Sequence, residues 1–271
     1  MLQLAALVLN PEGLVATRVY RWFGSPLDDK IIQILVGKGV FMKLHTREWG
    51  VGDRIAVLVH GIMSDHRTWR RAGPALAGRG YRVIAVDLRG HGVSGRGTYS
   101  PESWAEDLVE TLPVGSEVAI GHSLGGTALA LAVERLAPSR AVYCDPAWAL
   151  KQEDSIGPSV FTAFKDATRD VITARNPRWD EAEVDVELAT LAAWDPESAH
   201  GVFGVHAIDR TPAQPVVPSM VLVADPSPLV SPVMKRELTK HGFEVRTVYG
   251  AGHTIHRDDF DGFMKALDGW V

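Results

Sequence analysis

A serine flanked by small residues and a histidine on a distant glycine-rich loop are the side chains best placed for covalent chemistry. The serine is Ser123, in Gly121-His122-Ser123-Leu124-Gly125-Gly126. Ahead of it, Glu117-Val118-Ala119-Ile120 reads as a short buried strand, and behind it Thr127 to Leu136 reads as an Ala- and Leu-rich helix. In G-x-S-x-G between strand and helix, small neighbours let the backbone reverse sharply and raise the serine oxygen above the sheet. A serine hydroxyl is a poor nucleophile near neutral pH until a base takes its proton, and an acceptor must fix that base's tautomer. The candidate base is His253 in Gly250-Ala251-Gly252-His253, after the last strand and before the last helix. Of the nine other histidines, His60 belongs to a turn, His122 sits inside the serine turn, and His256 is the competing base.

Two aspartates are candidates for the acceptor. Asp225 ends the strand Met220-Val221-Leu222-Val223-Ala224 and is preferred; Asp145, ending Val142-Tyr143-Cys144, is the alternative. Each precedes a proline, so each could equally cap a turn. The developing oxyanion needs two backbone N–H groups, and losing one such donor commonly costs ~2.7–4 kcal/mol. Leu124 offers one, and Ile62 in His60-Gly61-Ile62-Met63 offers the other.

The elements that must hold these groups alternate. Ile31 to Val36 and Val40 to His45 read as a hairpin, and Ile55 to Val59 as a strand buried on both faces. Arg67 to Gly78 reads as helix, Arg82 to Asp87 as strand, Pro101 to Leu112 as helix, and Arg140 to Cys144 as strand. Ser219 to Ala224, Pro232 to His241, Glu244 to Val248 and Asp258 to Trp270 complete the pattern as strand, helix, strand, helix. The fold class is therefore α/β, a mostly parallel central sheet with helices on both faces, with its site beyond the strands' carboxyl ends. Between Pro146 and Pro218 no strand is legible, only helical patterns around Ser159 to Arg175, Asp180 to Trp194 and Glu197 to Ile208. The expected division is a core of residues 1–145 and 219–271 with a helical cap, 146–218, inserted in it. Trp148, Phe161, Phe164 and Trp179 in the cap are candidate pocket residues, though any one of them could simply glue the cap to the sheet.

Composition narrows the function classes. At 271 residues and 46% hydrophobic content the chain can bury one large core. A formal charge of -5 gives no basic footprint for nucleic acid and no polybasic membrane patch. The single cysteine, Cys144, excludes an internal disulfide and fits a reducing compartment, so a cytoplasmic location is expected. The apolar start, Met1 to Leu9, lacks a basic flank, is too short to span a bilayer, and reads as a docking segment. No Cys/His/Asp cluster has metal-ligand spacing and no glycine-rich loop has a nucleotide-binding pattern, so neither metal nor cofactor is expected.

His60-Gly61, Asp87-Leu88-Arg89-Gly90-His91-Gly92-Val93-Ser94, the Ser123 turn and Gly252-His253 resemble, in order and spacing, the α/β-hydrolase superfamily. The resemblance runs from about Ile55 to the C-terminus and is strongest to capped single-domain members: esterases, lactonases, carbon–carbon bond hydrolases and cofactor-free peroxidase-like enzymes. It implies Ser123 as nucleophile, His253 as base, Ile62 and Leu124 as oxyanion donors, and a structural role for Asp87 to Ser94. It also implies that haloalkane dehalogenases and soluble epoxide hydrolases, which attack with an aspartate, are excluded by serine at 123. In many relatives the acid lies in a Gly-x-x-Asp pattern after the penultimate strand; here Ala224-Asp225-Pro226-Ser227 puts Ser227 in that slot. Other relatives take the acid from the strand after the serine helix, a position that is Asp145 here. The first thirty residues depart from the family's usual opening and leave room for an added helix or an oligomer contact. The expected function is hydrolysis of an ester or lactone of a small, fairly apolar metabolite through an acyl-enzyme. Carbon–carbon bond cleavage, acyl transfer, or ligand binding with little turnover remain alternatives.

Overall fold

The computed structural model describes residues 42–150, 157–203 and 209–271. The readings for residues 1–30 and for Ile31 to Val36 lie outside these. Among the described residues seven strands form one sheet in the order β1-β3-β2-β4-β5-β6-β7. They are β1 (Thr46–Trp49), β2 (Ile55–Val59), β3 (Arg82–Val86), β4 (Val118–His122), β5 (Ala141–Cys144), β6 (Ser219–Asp225) and β7 (Glu244–Tyr249). Only β1 runs antiparallel, against β3; all the other pairs are parallel.

Side chains of β2 alternate between two apolar layers, which is why Ile55 to Val59 carries no polar residue. Val57 and Val59 pack with Trp104 and Leu108 of α2 (Pro101–Thr111) and Leu129 of α3 (Leu124–Leu136). Ala56 and Leu58 face the other way, toward Leu76 of α1 (Ala72–Gly78), Trp69, and Phe263 of the C-terminal helix. A fully buried Val, Leu or Phe contributes about 1.5–3 kcal/mol, so the two layers fix the strand ends to which the site is attached.

Among the described residues four helices lie between β5 and β6: α4 (Pro158–Thr162), α5 (Arg169–Arg175), α6 (Glu181–Ala193) and α7 (Ser198–Phe203). They share an apolar cluster of Ile172, Val184, Leu191, Trp194 and Ala199. The single helix expected over Ser159 to Arg175 is two, because the Thr168 hydroxyl caps a new start by accepting from Val171 N–H. The α6 start follows its cap, the Asp180 carboxylate accepting from Glu183 N–H at 2.8 Å. The chain finishes with α8 (Pro232–Lys240), started by Ser231 and Pro232 as read from sequence, then β7, α9 (Ile255–Asp258) and α10 (Phe260–Ala266).

Two expectations are corrected. No strand forms over the described part of Val40 to His45, because its N–H groups go to side chains: Met42 to Asp107, Leu44 to Thr111 and His45 to Ser94. The last helix begins right after His253 and breaks at Asp259, whose carboxylate caps α10 by accepting from Gly262 N–H at 2.9 Å. Among the described residues no helix is long and apolar enough to cross a membrane.

Candidate active site

From β2 the chain moves to β3 on one side of the sheet; from β4 it moves to β5 on the other. Neighbouring strands whose connections diverge leave a crevice at their carboxyl ends. Ile62 follows β2 and Ser123 follows β4, so both stand at that crevice. The turn at Ser123 is tight enough to require its glycines: a Cβ on Gly121 would lie 2.6 Å from the Gly125 carbonyl oxygen, and one on Gly125 would lie 2.4 Å from those of Val59 and His60. Ser123 itself sits at φ 52°, ψ −116°. Among the described residues four non-glycines have positive φ; Ala137 ends α3, and the other three are Met63, Ser123 and Asp145. Each such conformation costs on the order of 1–3 kcal/mol, and all three lie just past the ends of β2, β4 and β5. Stored strain is concentrated at the crevice.

His253 meets Asp145. Its Nδ1–H donates to Asp145 Oδ2 at 2.7 Å, which leaves Nε2 as the free acceptor of the ring. The Asp145 side chain is fully buried, and its other oxygen accepts from Ser227 Oγ at 2.6 Å and from Ala224 N–H at 3.3 Å. This reverses the preference for Asp225. Asp225 gives its backbone N–H to Ala251 at 2.9 Å, and among the described residues its carboxylate makes no hydrogen bond. Ser227 occupies the slot where the family resemblance places an acid, and there its hydroxyl donates to Asp145, the alternative candidate just past the neighbouring strand.

The histidines divide cleanly by their partners. His122 is buried; its Nε2–H donates to the His253 carbonyl at 2.9 Å, and its ring lies 4.7 Å from that of His253. It thus ties the loop of the candidate base to the residue beside Ser123, a role that its position inside the motif did not reveal. His60 is structural, donating from Nδ1 to Gly61 and accepting from Leu88 N–H at Nε2. His256, the competing base, is buried against Trp69 at 4.1 Å between ring centres and cannot reach solvent. Burial, with the nearby Arg257 guanidinium adding to it, holds the His122 and His256 imidazoles well below their ordinary pKa. Burial pushes the Cys144 thiol up, so the lone cysteine beside Asp145 is a poor nucleophile.

The two oxyanion candidates follow β4 and β2, and their backbone N–H groups are not committed to other backbone groups among the described residues. Leu124 is the first residue of α3. The helix N-terminus adds positive potential at the same point. Among the described residues no hydrogen bond joins Ser123 Oγ to His253, so the structure pairs His253 with Asp145 and leaves the serine hydroxyl without a hydrogen-bond partner. A recess beside Leu124 is lined by Thr127, Ala147, Leu150, Val202 and Arg210.

The aromatic candidates separate. Trp148 is buried in the sheet's core, 4.9 Å from the Tyr143 ring and donating to the Gly126 carbonyl, so it packs the serine helix instead of lining a pocket. Phe161, Phe164 and Trp179 are partly buried and, with Ile62 and Met63, pack around the helical cluster. Trp179 also donates from Nε1 to Asp258 at 2.7 Å and carries the Arg257 guanidinium 3.7 Å over its ring.

Comparison with known proteins agrees with this geometry. N-formylmaleamate deformylase of Pseudomonas putida is 28% identical over 252 residues, 83% of this chain and 91% of that protein. An epoxide hydrolase of Caballeronia sordidicola is 37% identical over only 93 residues, 32% of this chain and 28% of that protein. The crystal structure of an N-formylmaleamic acid deformylase from Pseudomonas putida superposes with a TM-score of 0.71 at 23% identity, covering 83% of this chain and 96% of that one. Residues 56–266 match the sequence model of the alpha/beta hydrolase family, spanning every strand from β2 onward and all the groups described above. With this sheet order, this strained serine turn and this match, the chain belongs to the alpha/beta hydrolase family.

Proposed function

We propose that the chain is a serine hydrolase cleaving an ester or lactone of a small, fairly apolar metabolite through an acyl-enzyme on Ser123. The observation that carries this reading is the His253–Asp145 pair at 2.7 Å beside a serine held at positive φ on a helix N-terminus. Asp145 fixes the His253 proton on Nδ1, so Nε2 takes the Ser123 proton as the hydroxyl adds to the substrate carbonyl. The resulting oxyanion is met by the N–H groups of Leu124 and Ile62. His253 then protonates the leaving oxygen, the acyl group stays on Ser123, and a water deprotonated by His253 releases the acid. The helices between β5 and β6 act as a cap, with Phe161, Phe164 and Trp179 supplying apolar pocket surface.

A second reading, hydrolysis of an N-acyl amide by the same residues, is favoured by the likeness to N-formylmaleamate deformylase across nearly that protein's whole length. Carbon–carbon bond cleavage and acyl transfer use the same groups; the first differs in its leaving group, a carbon that must be protonated, and the second in its acyl acceptor. A panel of short esters, lactones and N-formyl amides, assayed beside Ser123→Ala, tests the proposal and separates the readings. Hydrolysis of esters or lactones that Ser123→Ala abolishes supports the leading one. Turnover confined to the amides moves the assignment to the second, and inactivity toward all three classes overturns both.

A further inference from the structure

Far from one another in sequence, His45, His66 and Asp87 bring their ligand atoms within 4.8 Å of one another. We propose that they form a binding site for a divalent transition-metal ion such as Zn²⁺. The backbone brings His45 and Asp87 together. The antiparallel register that pairs Thr46 with Val86 continues one step, with Asp87 N–H donating to the His45 carbonyl at 2.9 Å. Residues directly opposite in such a pair project to the same face. His66 arrives from the turn after β2; its backbone N–H and its Nδ1 meet the same Asp87 oxygen at 2.8 and 2.7 Å.

The set has the features of a built site. The Asp87 side chain is fully buried, and its second oxygen is oriented by Val93 N–H at 2.9 Å, as outer partners orient ligating carboxylates. The His66–Asp87 pair satisfies itself, but His45 is not accounted for by it. Among the described residues the His45 imidazole makes no hydrogen bond, and its ring faces that of His66 at 5.4 Å with a 55° tilt. Two imidazoles and one carboxylate suit zinc and its first-row neighbours and disfavour Mg²⁺ and Ca²⁺, which prefer all-oxygen shells. Ligand atoms on a tetrahedral zinc stand about 3.3 Å apart, given bonds of about 2.0–2.1 Å, so closure needs a swing of His45 toward the pair and a slight opening of the 2.7 Å His66–Asp87 contact. A bound ion would displace the proton that His66 shares with Asp87, and solvent would fill the remaining position. Occupancy would fasten the turn carrying Ile62 to the end of β3, and ion binding is read without any turnover at Ser123.

The test is calorimetric titration of untagged, chelator-stripped protein with Zn²⁺, with Co²⁺ as a chromophoric substitute and Mg²⁺ as control. One ion per chain is expected. At hundredfold excess over Kd the melting temperature should rise by about 5 °C. His45→Ala leaves the His66–Asp87 pair intact and should weaken binding by at least about tenfold, since even outer partners of a metal are worth that much. Absence of stoichiometric Zn²⁺ binding, or unchanged affinity in folded His45→Ala, overturns the proposal. Equal binding of Mg²⁺ does so as well.

Discussion

Asp145→Asn should abolish the proposed hydrolysis while Asp225→Asn leaves it nearly intact. The buried carboxylate of Asp145 accepts from three groups: His253 Nδ1, Ser227 Oγ and Ala224 N–H. An amide of the same shape can keep only one oxygen, and Ser227 with Ala224 already claim it. The amide nitrogen then faces His253, whose Nδ1 must become an acceptor. That moves the ring proton to Nε2, where it points at the serine instead of receiving its proton. Loss of the correct tautomer typically costs about 10⁴ in turnover, close to 5.5 kcal/mol of transition-state stabilisation. Asp225, whose carboxylate has no such partner, should cost less than about tenfold. The assay is kcat/KM on an activated ester for both variants, with circular dichroism showing that each is folded. A loss at Asp225 equal to that at Asp145, or an Asp145→Asn enzyme within tenfold of wild type, would refute the tautomer argument.

Other consequences follow from the same packing. Burial holds four imidazoles, His60, His91, His122 and His256, below their ordinary pKa, with His91 pushed down to about 3. Each stays neutral in the fold and takes a proton on unfolding below pH 6.5, so stability falls as pH drops from 6.5 toward 3. His91 alone should contribute about 2 kcal/mol to that loss at pH 5, against a typical total of about 5–15 kcal/mol. Melting temperatures measured from pH 7.5 to 5 should fall steeply; a flat profile contradicts the reading. Arg257 is buried, donating to Glu183 at 2.8 Å and to Glu187 at 2.5 Å on α6, next to the His253 loop. Arg257→Ala should therefore cost about 3–5 kcal/mol in denaturant melts, and pairing Arg257→Met with Glu183→Met should recover much of it. Gly125→Ala places a methyl group against the carbonyls of Val59 and His60 and should yield little folded protein, checked by soluble yield and near-ultraviolet dichroism.

The parts of the fold legible in sequence are those with a local signature. Ile55 to Val59 shows its double burial by having no polar residue, and the Ser123 turn shows its tightness through Gly121 and Gly125, both of which meet backbone oxygens. The acid was less legible because Asp145 and Asp225 end adjacent parallel strands, and each precedes a proline. Their difference lies in which side chain turns toward the His253 loop, a property of β5 and β6 together. Ser227 held the clue, as a hydroxyl standing where an acid was expected. Trp148 looked like pocket surface from its composition alone, but its place after β5 aims it into the core beside Tyr143. Helix ends set by a single side-chain cap, at Thr168 and Asp259, were invisible to periodicity. The His45–His66–Asp87 cluster had no spacing signal at all, since three separate connections create it.

The claim on which the functional account rests is that Ser123 becomes a nucleophile when His253 takes its proton. Labelling with a fluorophosphonate probe, followed by peptide mass spectrometry, tests this most directly. The account predicts one adduct per chain, on Ser123, lost in Ser123→Ala and strongly slowed in His253→Ala. Labelling at another residue, or no labelling of folded protein, would contradict it.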